Sequence, residues 1–157
     1  MFARNIKETT EIAKIFLNKI LKNKNSNESA LVVGLSGDLG AGKTTFVQAA
    51  GKHLGVKNKI TSPTFVIIKK YPIPEQFRYG SGSLKKSKNY KFFFHLDAYR
   101  LKDEKELLHL GWEEIINNKD HLVFIEWPEN VSRAMPSDAR FVYLSHGKSG
   151  YRNLEFK

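Results

Sequence analysis

The stretch GDLGAGKTT, from Gly37 to Thr45, gathers three glycines, a lysine and two threonine hydroxyls. It fits the pattern G-x-x-x-x-G-K-[ST], with Gly37, Gly42, Lys43 and Thr44 at the defined positions. The spacing has a physical reason. Small residues let the backbone N–H groups of Asp38, Leu39, Gly40 and Ala41 curl around a phosphate chain. A helix that starts at the end of the loop turns its positive end on the same anion. Lys43 reaches the β- and γ-phosphates, the Thr44 hydroxyl binds Mg²⁺, and Thr45 helps the helix begin. An apolar run before the loop and a helix-compatible run after it supply the context that a chance match lacks.

Phosphate chemistry of this kind needs a carboxylate on a neighbouring strand. Ligands of parallel α/β sheets sit beyond the C-terminal strand ends. Two acids occupy such ends: YKFFFHLD finishes in Asp97 and LVFIE finishes in Glu126. One completes a metal site and the other orients an attacking water; spacing alone does not assign the two roles. His95 shares a strand face with Asp97, which suits a base, but a lone strand histidine is more often packed or hydrogen-bonded. Trp127 either stacks near a nucleotide or packs beside Pro128. In TSPTF, the hydroxyls of Thr61, Ser62 and Thr64 are those a γ-phosphate switch would use, although the segment also reads as an ordinary lead into a strand. Asn117 to Asp120 spell NNKD, the wrong order for a guanine-reading N-K-x-D element, so the expected nucleotide is ATP.

The elements that must position these groups follow from periodicity. Ile12, Ile15, Phe16 and Ile20 predict an amphipathic helix over Ile6 to Leu21. Leu31 to Leu35 and Leu122 to Ile125 read as buried parallel strands. A helix runs from the glycine loop to about Leu54, with Gly55 as its stop. Phe65 to Tyr71 and Tyr90 to Leu96 read as strands. Residues 72–89, rich in proline, glycine, serine and lysine, are expected to form a mobile basic loop or an extended hairpin tip. Asp103 with Glu106 three residues on predicts a capped helix start, and Pro128 sits in the first turn of a short helix. The chain closes with an antiparallel hairpin turned at GKSG. The expectation is an α/β protein over residues 1–157: a P-loop NTPase-like three-layer fold in a single domain, with a central, mainly parallel sheet and antiparallel strands added.

Composition sets the outer bounds. The 157 residues suffice for one real core. The absence of cysteine rules out disulfides and thiolate metal sites and suits a reducing cytosol. No stretch has the length of a membrane span, and the first residues lack the apolar core of a signal peptide, so a cytoplasmic protein is expected. With 26 lysines and arginines against 16 acids, the net charge of +10 favours polyanionic partners, or simply reflects a lysine-rich surface.

Taken in order, GDLGAGKTTF, SPTF, HLDAYRL, LGWEE and IEWPE resemble the TsaE (YjeE) family of bacterial P-loop ATPases. The resemblance spans Gly37 to Glu129, and the alternating C-terminal strands fit it as well. It implies an accessory protein for threonylcarbamoyladenosine formation in tRNA, next to the anticodon. Such a protein does not transfer the threonylcarbamoyl group itself; it docks on the TsaD–TsaB pair, and its ATP cycle supports their turnover. Contact with tRNA is then indirect. The resemblance further implies that Thr44 and Glu126 hold Mg²⁺, that Asp97 is an essential acid near the γ-phosphate, and that Trp127 neighbours the site. Lys43 joins the two acids in the catalytic set, and the segment from Ile6 to Thr10 lies near the adenine.

The stretch from Pro72 to Asn89 departs from the family in being longer and more basic. Its Lys85, Lys86 and Lys88, with Lys91, Phe77, Arg78 and Tyr79, could meet tRNA phosphates or an acidic partner face. Two other readings compete. A small-molecule kinase needs an arginine-bearing lid, for which only Arg133 and Arg140 are available. A nucleotide-gated RNA-binding module lacks any RRM or KH signature.

Overall fold

The computed structural model describes residues 1–22, 28–78, 90–147 and 150–157. Its frame is a seven-stranded sheet in the order β1-β7-β6-β2-β5-β4-β3. The strands are β1 (Phe2–Ala3), β2 (Leu31–Ser36), β3 (Ile68–Pro72), β4 (Phe92–Asp97), β5 (His121–Glu126), β6 (Arg140–His146) and β7 (Arg152–Phe156). The four central strands, β6, β2, β5 and β4, pair parallel. Antiparallel strands extend both flanks, β3 on one side and the β6–β7 hairpin with β1 on the other. This is the α/β sheet expected from the alternating pattern.

Alternation within the central strands sorts their side chains into two cores. Phe93, Leu122, Phe124, Val33 and Leu35 pack with helix α1 (Ile6–Lys22) and helix α2 (Lys43–His53). Phe94, Leu96, Val123 and Ile125 pack with residues of helices α4 (Glu104–His109) and α5 (Trp112–Ile116) and the 3-10 helix Pro128–Ala134. Layers of helix, sheet and helix result. On the α1/α2 face the side chains turn from apolar to ionisable toward the C-terminal strand ends. Phe93 and Leu122 lie deep, and His95, Asp97 and Glu126, all buried, approach the edge.

Local signals set several boundaries as expected. Asp103 accepts from the N–H groups of Lys105 and Glu106 at the start of α4, while Glu106 accepts from Lys102 N–H. Gly55 takes φ +74° just past α2. Other elements differ from the expectation. Phe65 and Val66 lie in a turn rather than in β3, and Ile67 at φ 64° delays the strand to Ile68. Within the expected loop 72–89, Pro72 still belongs to β3 and Glu75–Arg78 form the short helix α3. The ring of Phe77 packs on Gly55, so that aromatic is partly committed to the fold. Tyr79, Lys85, Lys86 and Lys88 lie outside the described residues. Among those described, no helix is long and apolar enough to cross a membrane.

Candidate nucleotide site

Strand β2 ends at Ser36, and the glycine loop crosses from it into α2 over the C-terminal edge of the sheet. Two glycines explain how so tight a crossing is possible. Gly37 has φ +143° and lies so close to β6 that an added Cβ would stand 2.0 Å from the Leu144 carbonyl oxygen. Gly42 takes the left-handed conformation, φ 104°, at the N-cap of α2, and no side chain caps that end. The helix therefore presents its first N–H groups free for an anion.

We expect Gly37→Ala to lower folding stability by about 2–3 kcal/mol, because it adds both backbone strain and a collision with a strand backbone. At Gly40, with φ +76°, an added methyl group would meet no heavy atom within 4 Å. Gly40→Ala should cost about 1 kcal/mol, from strain alone. Chemical denaturation of the two variants checks the contrast, and equal losses would mean that β6 yields freely to the loop.

The Lys43 side chain folds back beneath the loop. Its ammonium donates to the carbonyls of Gly37 and Asp38 and lies 3.8 Å from the Trp127 ring centroid. Burial pulls its pKa below the usual lysine range, and Glu126, Glu129, Asp97 and Asp38 pull it back up. Thr44 starts the same helix and donates its hydroxyl to both oxygens of Glu126, at 2.9 and 3.1 Å. With its proton committed there, the Thr44 oxygen keeps its lone pairs for another partner.

Parallel pairing of β4 with β5 sets Asp97 directly beside Glu126. The two acids that spacing singled out are thus neighbours at the sheet edge. Their environments differ. Glu126 receives Thr44 and also the ring of His95, whose Nε2 lies 2.8 Å from Oε1. Asp97 accepts from Tyr99 N–H at 3.0 Å on one oxygen and from the Thr64 hydroxyl on the other. Ser62 is hydrogen-bonded to Thr64, whereas Thr61 is turned to Lys69. Two of the three hydroxyls in TSPTF therefore reach the acidic edge.

Trp127 follows Glu126 in the left-handed region, φ 59°, which few non-glycine residues adopt. Its backbone N–H donates to Leu35 O at 3.1 Å, and its ring meets Tyr99 with centroids 5.1 Å apart. The indole lies over Lys43 with one part packed against the second core cluster.

A cleft of about 310 Å³ joins these parts, lined by Leu39, Lys43, Thr44, Thr64, Asp97, Glu126 and Trp127 among others. A second cleft, of about 280 Å³, lies against the loop where Gly40, Ala41, Gly42 and Thr45 meet Arg4, Asn5, Ile6 and Thr9. The α1 start therefore lies beside the glycine loop. The arginines considered for a kinase lid line neither cleft, and Arg133 faces Glu104 at 3.8 Å. Among the described residues no group of three or more His, Cys, Asp or Glu side chains forms a metal cage. One carboxylate and one hydroxyl beside a phosphate cradle instead match the hard, sparse protein donor set that Mg²⁺ takes when phosphates and water complete its shell.

Sequence reasoning left Tyr99, Asn5, Arg4 and Arg152 among the cleft-lining residues unassigned, and weighed His95, here bonded to Glu126, as a base against a packed or hydrogen-bonded side chain. Only for His95 was there a signal, its alternation with Asp97.

The family description "Threonylcarbamoyl adenosine biosynthesis protein TsaE" matches residues 3–154. The tRNA threonylcarbamoyladenosine biosynthesis protein TsaE of Rickettsia prowazekii is 36% identical over 131 residues, covering 82% of this chain and 74% of the relative. The protein of the same name from Nostoc sp. is 39% identical, over 79% of this chain and 68% of the relative. That of Bacillus subtilis is 31% identical, over 80% and 68%. The fold is shared with a solved structure described as "Crystal structure of Bacillus subtilus YdiB", at a TM-score of 0.68 and 24% identity, covering 99% of this chain and 82% of that one. A match through almost the whole length, on a sheet of the same design, leaves one assignment: the chain belongs to the TsaE family of threonylcarbamoyl adenosine biosynthesis proteins.

Proposed function

We propose that the protein is a Mg²⁺-dependent ATPase of the cytoplasm that supports threonylcarbamoyladenosine formation in tRNA by acting on the TsaD–TsaB pair. The observation that carries the ATPase reading is the Thr44–Glu126 hydrogen bond. It ties the first turn of the phosphate-loop helix to a carboxylate on the adjacent strand, beside Lys43. The TsaD–TsaB part rests on family resemblance.

In this reading the loop N–H groups from Asp38 to Thr45 bind the phosphate chain, and Lys43 leaves the Gly37 and Asp38 carbonyls for the β- and γ-phosphates. Thr44 and Glu126 hold Mg²⁺, which neutralises charge on the phosphates when bound. Asp97, buried and held by Tyr99 N–H and Thr64, orients the attacking water. Ile6 and its neighbours in the second cleft take the base, and Trp127 covers the phosphate end. Contact with tRNA is through the TsaD–TsaB complex, with the 72–89 segment as a candidate for a direct approach.

The deciding measurement is ATP hydrolysis by the protein alone, then with TsaD and TsaB, with no small-molecule acceptor present. We expect slow turnover alone and a rise of tenfold or more, about 1.4 kcal/mol in barrier, when both are added. A rate that ignores these proteins but responds to a small phosphoryl acceptor would instead identify a kinase.

A further inference from the structure

His95 has no part in the functional reading so far, yet its position is costly. It is 0% exposed, and its Nδ1 has no hydrogen-bond partner among the described residues. It lies on the sheet face that carries Phe93 and Phe124, where an aromatic hydrocarbon would fill the space without stranding a polar nitrogen. Folding alone gives no reason for an imidazole there. The compensating contact is at the other ring nitrogen, where Nε2 meets Glu126 Oε1 at 2.8 Å. A carboxylate only accepts, so Nε2 carries the proton.

The effect on Glu126 is asymmetric. Oε1 takes both His95, at 2.8 Å, and Thr44, at 2.9 Å, whereas Oε2 takes only the longer Thr44 contact of 3.1 Å. Among the described residues, Oε2 is the oxygen with capacity left for a cation. Two donors on different elements, β4 and α2, pin the carboxylate from two directions.

We propose that His95 is a positioning residue that locks Glu126 with Oε1 occupied and Oε2 presented for Mg²⁺. This rests on the reading of Glu126 as the metal carboxylate. Groups that orient a metal's carboxylate from behind contribute about ten- to a hundredfold to its affinity.

The test measures binding rather than turnover. A non-hydrolysable ATP analogue is titrated by calorimetry over a Mg²⁺ series, for the parent chain and for His95→Asn, His95→Gln, His95→Phe and Glu126→Gln. The glutamine amide nitrogen reaches about as far as Nε2, and asparagine stops short of it. His95→Asn and His95→Phe should raise the half-saturating Mg²⁺ concentration about tenfold or more, with analogue affinity in EDTA unchanged. His95→Gln should stay within about threefold of the parent. A purely structural histidine would show its loss in thermal melting and leave the Mg²⁺ requirement alone. If Glu126→Gln raises that requirement and His95→Asn does not, the positioning role is overturned. If Glu126→Gln leaves it unchanged, the metal reading itself fails and takes this inference with it. Should His95→Phe not fold, the Asn and Gln pair still decides.

Discussion

Lys43→Ala is expected to lower affinity for ATP about a hundredfold in a protein that still folds. On the proposed function the ammonium would supply charge-assisted hydrogen bonds to two phosphates, and such a bond contributes about 1.5–3 kcal/mol. A loss near 3 kcal/mol is two orders of magnitude in affinity. The fold should tolerate the change, because the side chain's partners are two loop carbonyls and one ring, and burial lowers its pKa. Calorimetric titration with ATP, alongside circular dichroism, measures both parts. Unchanged affinity in a folded variant would end the phosphate-cradle reading.

Glu126→Gln is expected to lower ATP hydrolysis by roughly a hundredfold and to raise the Mg²⁺ needed. With the amide oxygen in the place of Oε1, His95 and Thr44 keep their acceptor and the local shape survives, while the charge and the acceptor at Oε2 are lost. A metal-borne charge interaction is worth several kcal/mol in the transition state, and about 3 kcal/mol is a hundredfold in rate. Asp97→Asn should fall comparably, with less change in Mg²⁺ requirement, because Asp97 is held by Thr64 and Tyr99 rather than by Thr44. Initial rates across a Mg²⁺ series separate the two. Rescue of Asp97→Asn, but not of Glu126→Gln, by high Mg²⁺ would exchange their roles.

What was legible in the sequence follows from how local each signal is. The phosphate loop is readable because all its parts lie within nine residues, and its geometry is set by glycines that tolerate positive φ. Helix α1 carries a long, consistent period, and strands β2 and β5 are short, continuous apolar runs. Asp97 and Glu126 were readable one at a time, as acids ending apolar runs. Their adjacency needed the β4–β5 register, which no local pattern encodes. The His95–Glu126 contact spans 31 residues and depends on that same register. Strand β1 is two residues long and exists only by pairing with β7. Helices α3 and α5 have four and five residues, too few for a period to show. At β3 the β-branched, aromatic run misled, because Phe65 and Val66 have high strand propensity but precede the left-handed Ile67.

The backbone turn at Trp127 has one more consequence. The chain carries two indoles, and they report on different things. Trp112 is 1% exposed in the core, with its N–H on the Ala134 carbonyl, so its emission follows only the integrity of the fold. Trp127 has a cation over its ring and a tyrosine beside it, at the mouth of the cleft. Any anion that draws the Lys43 ammonium off that ring alters the local field on the indole. On the proposed function, Trp127 emission should therefore report cleft occupancy, with Trp112 as an internal reference and no label attached.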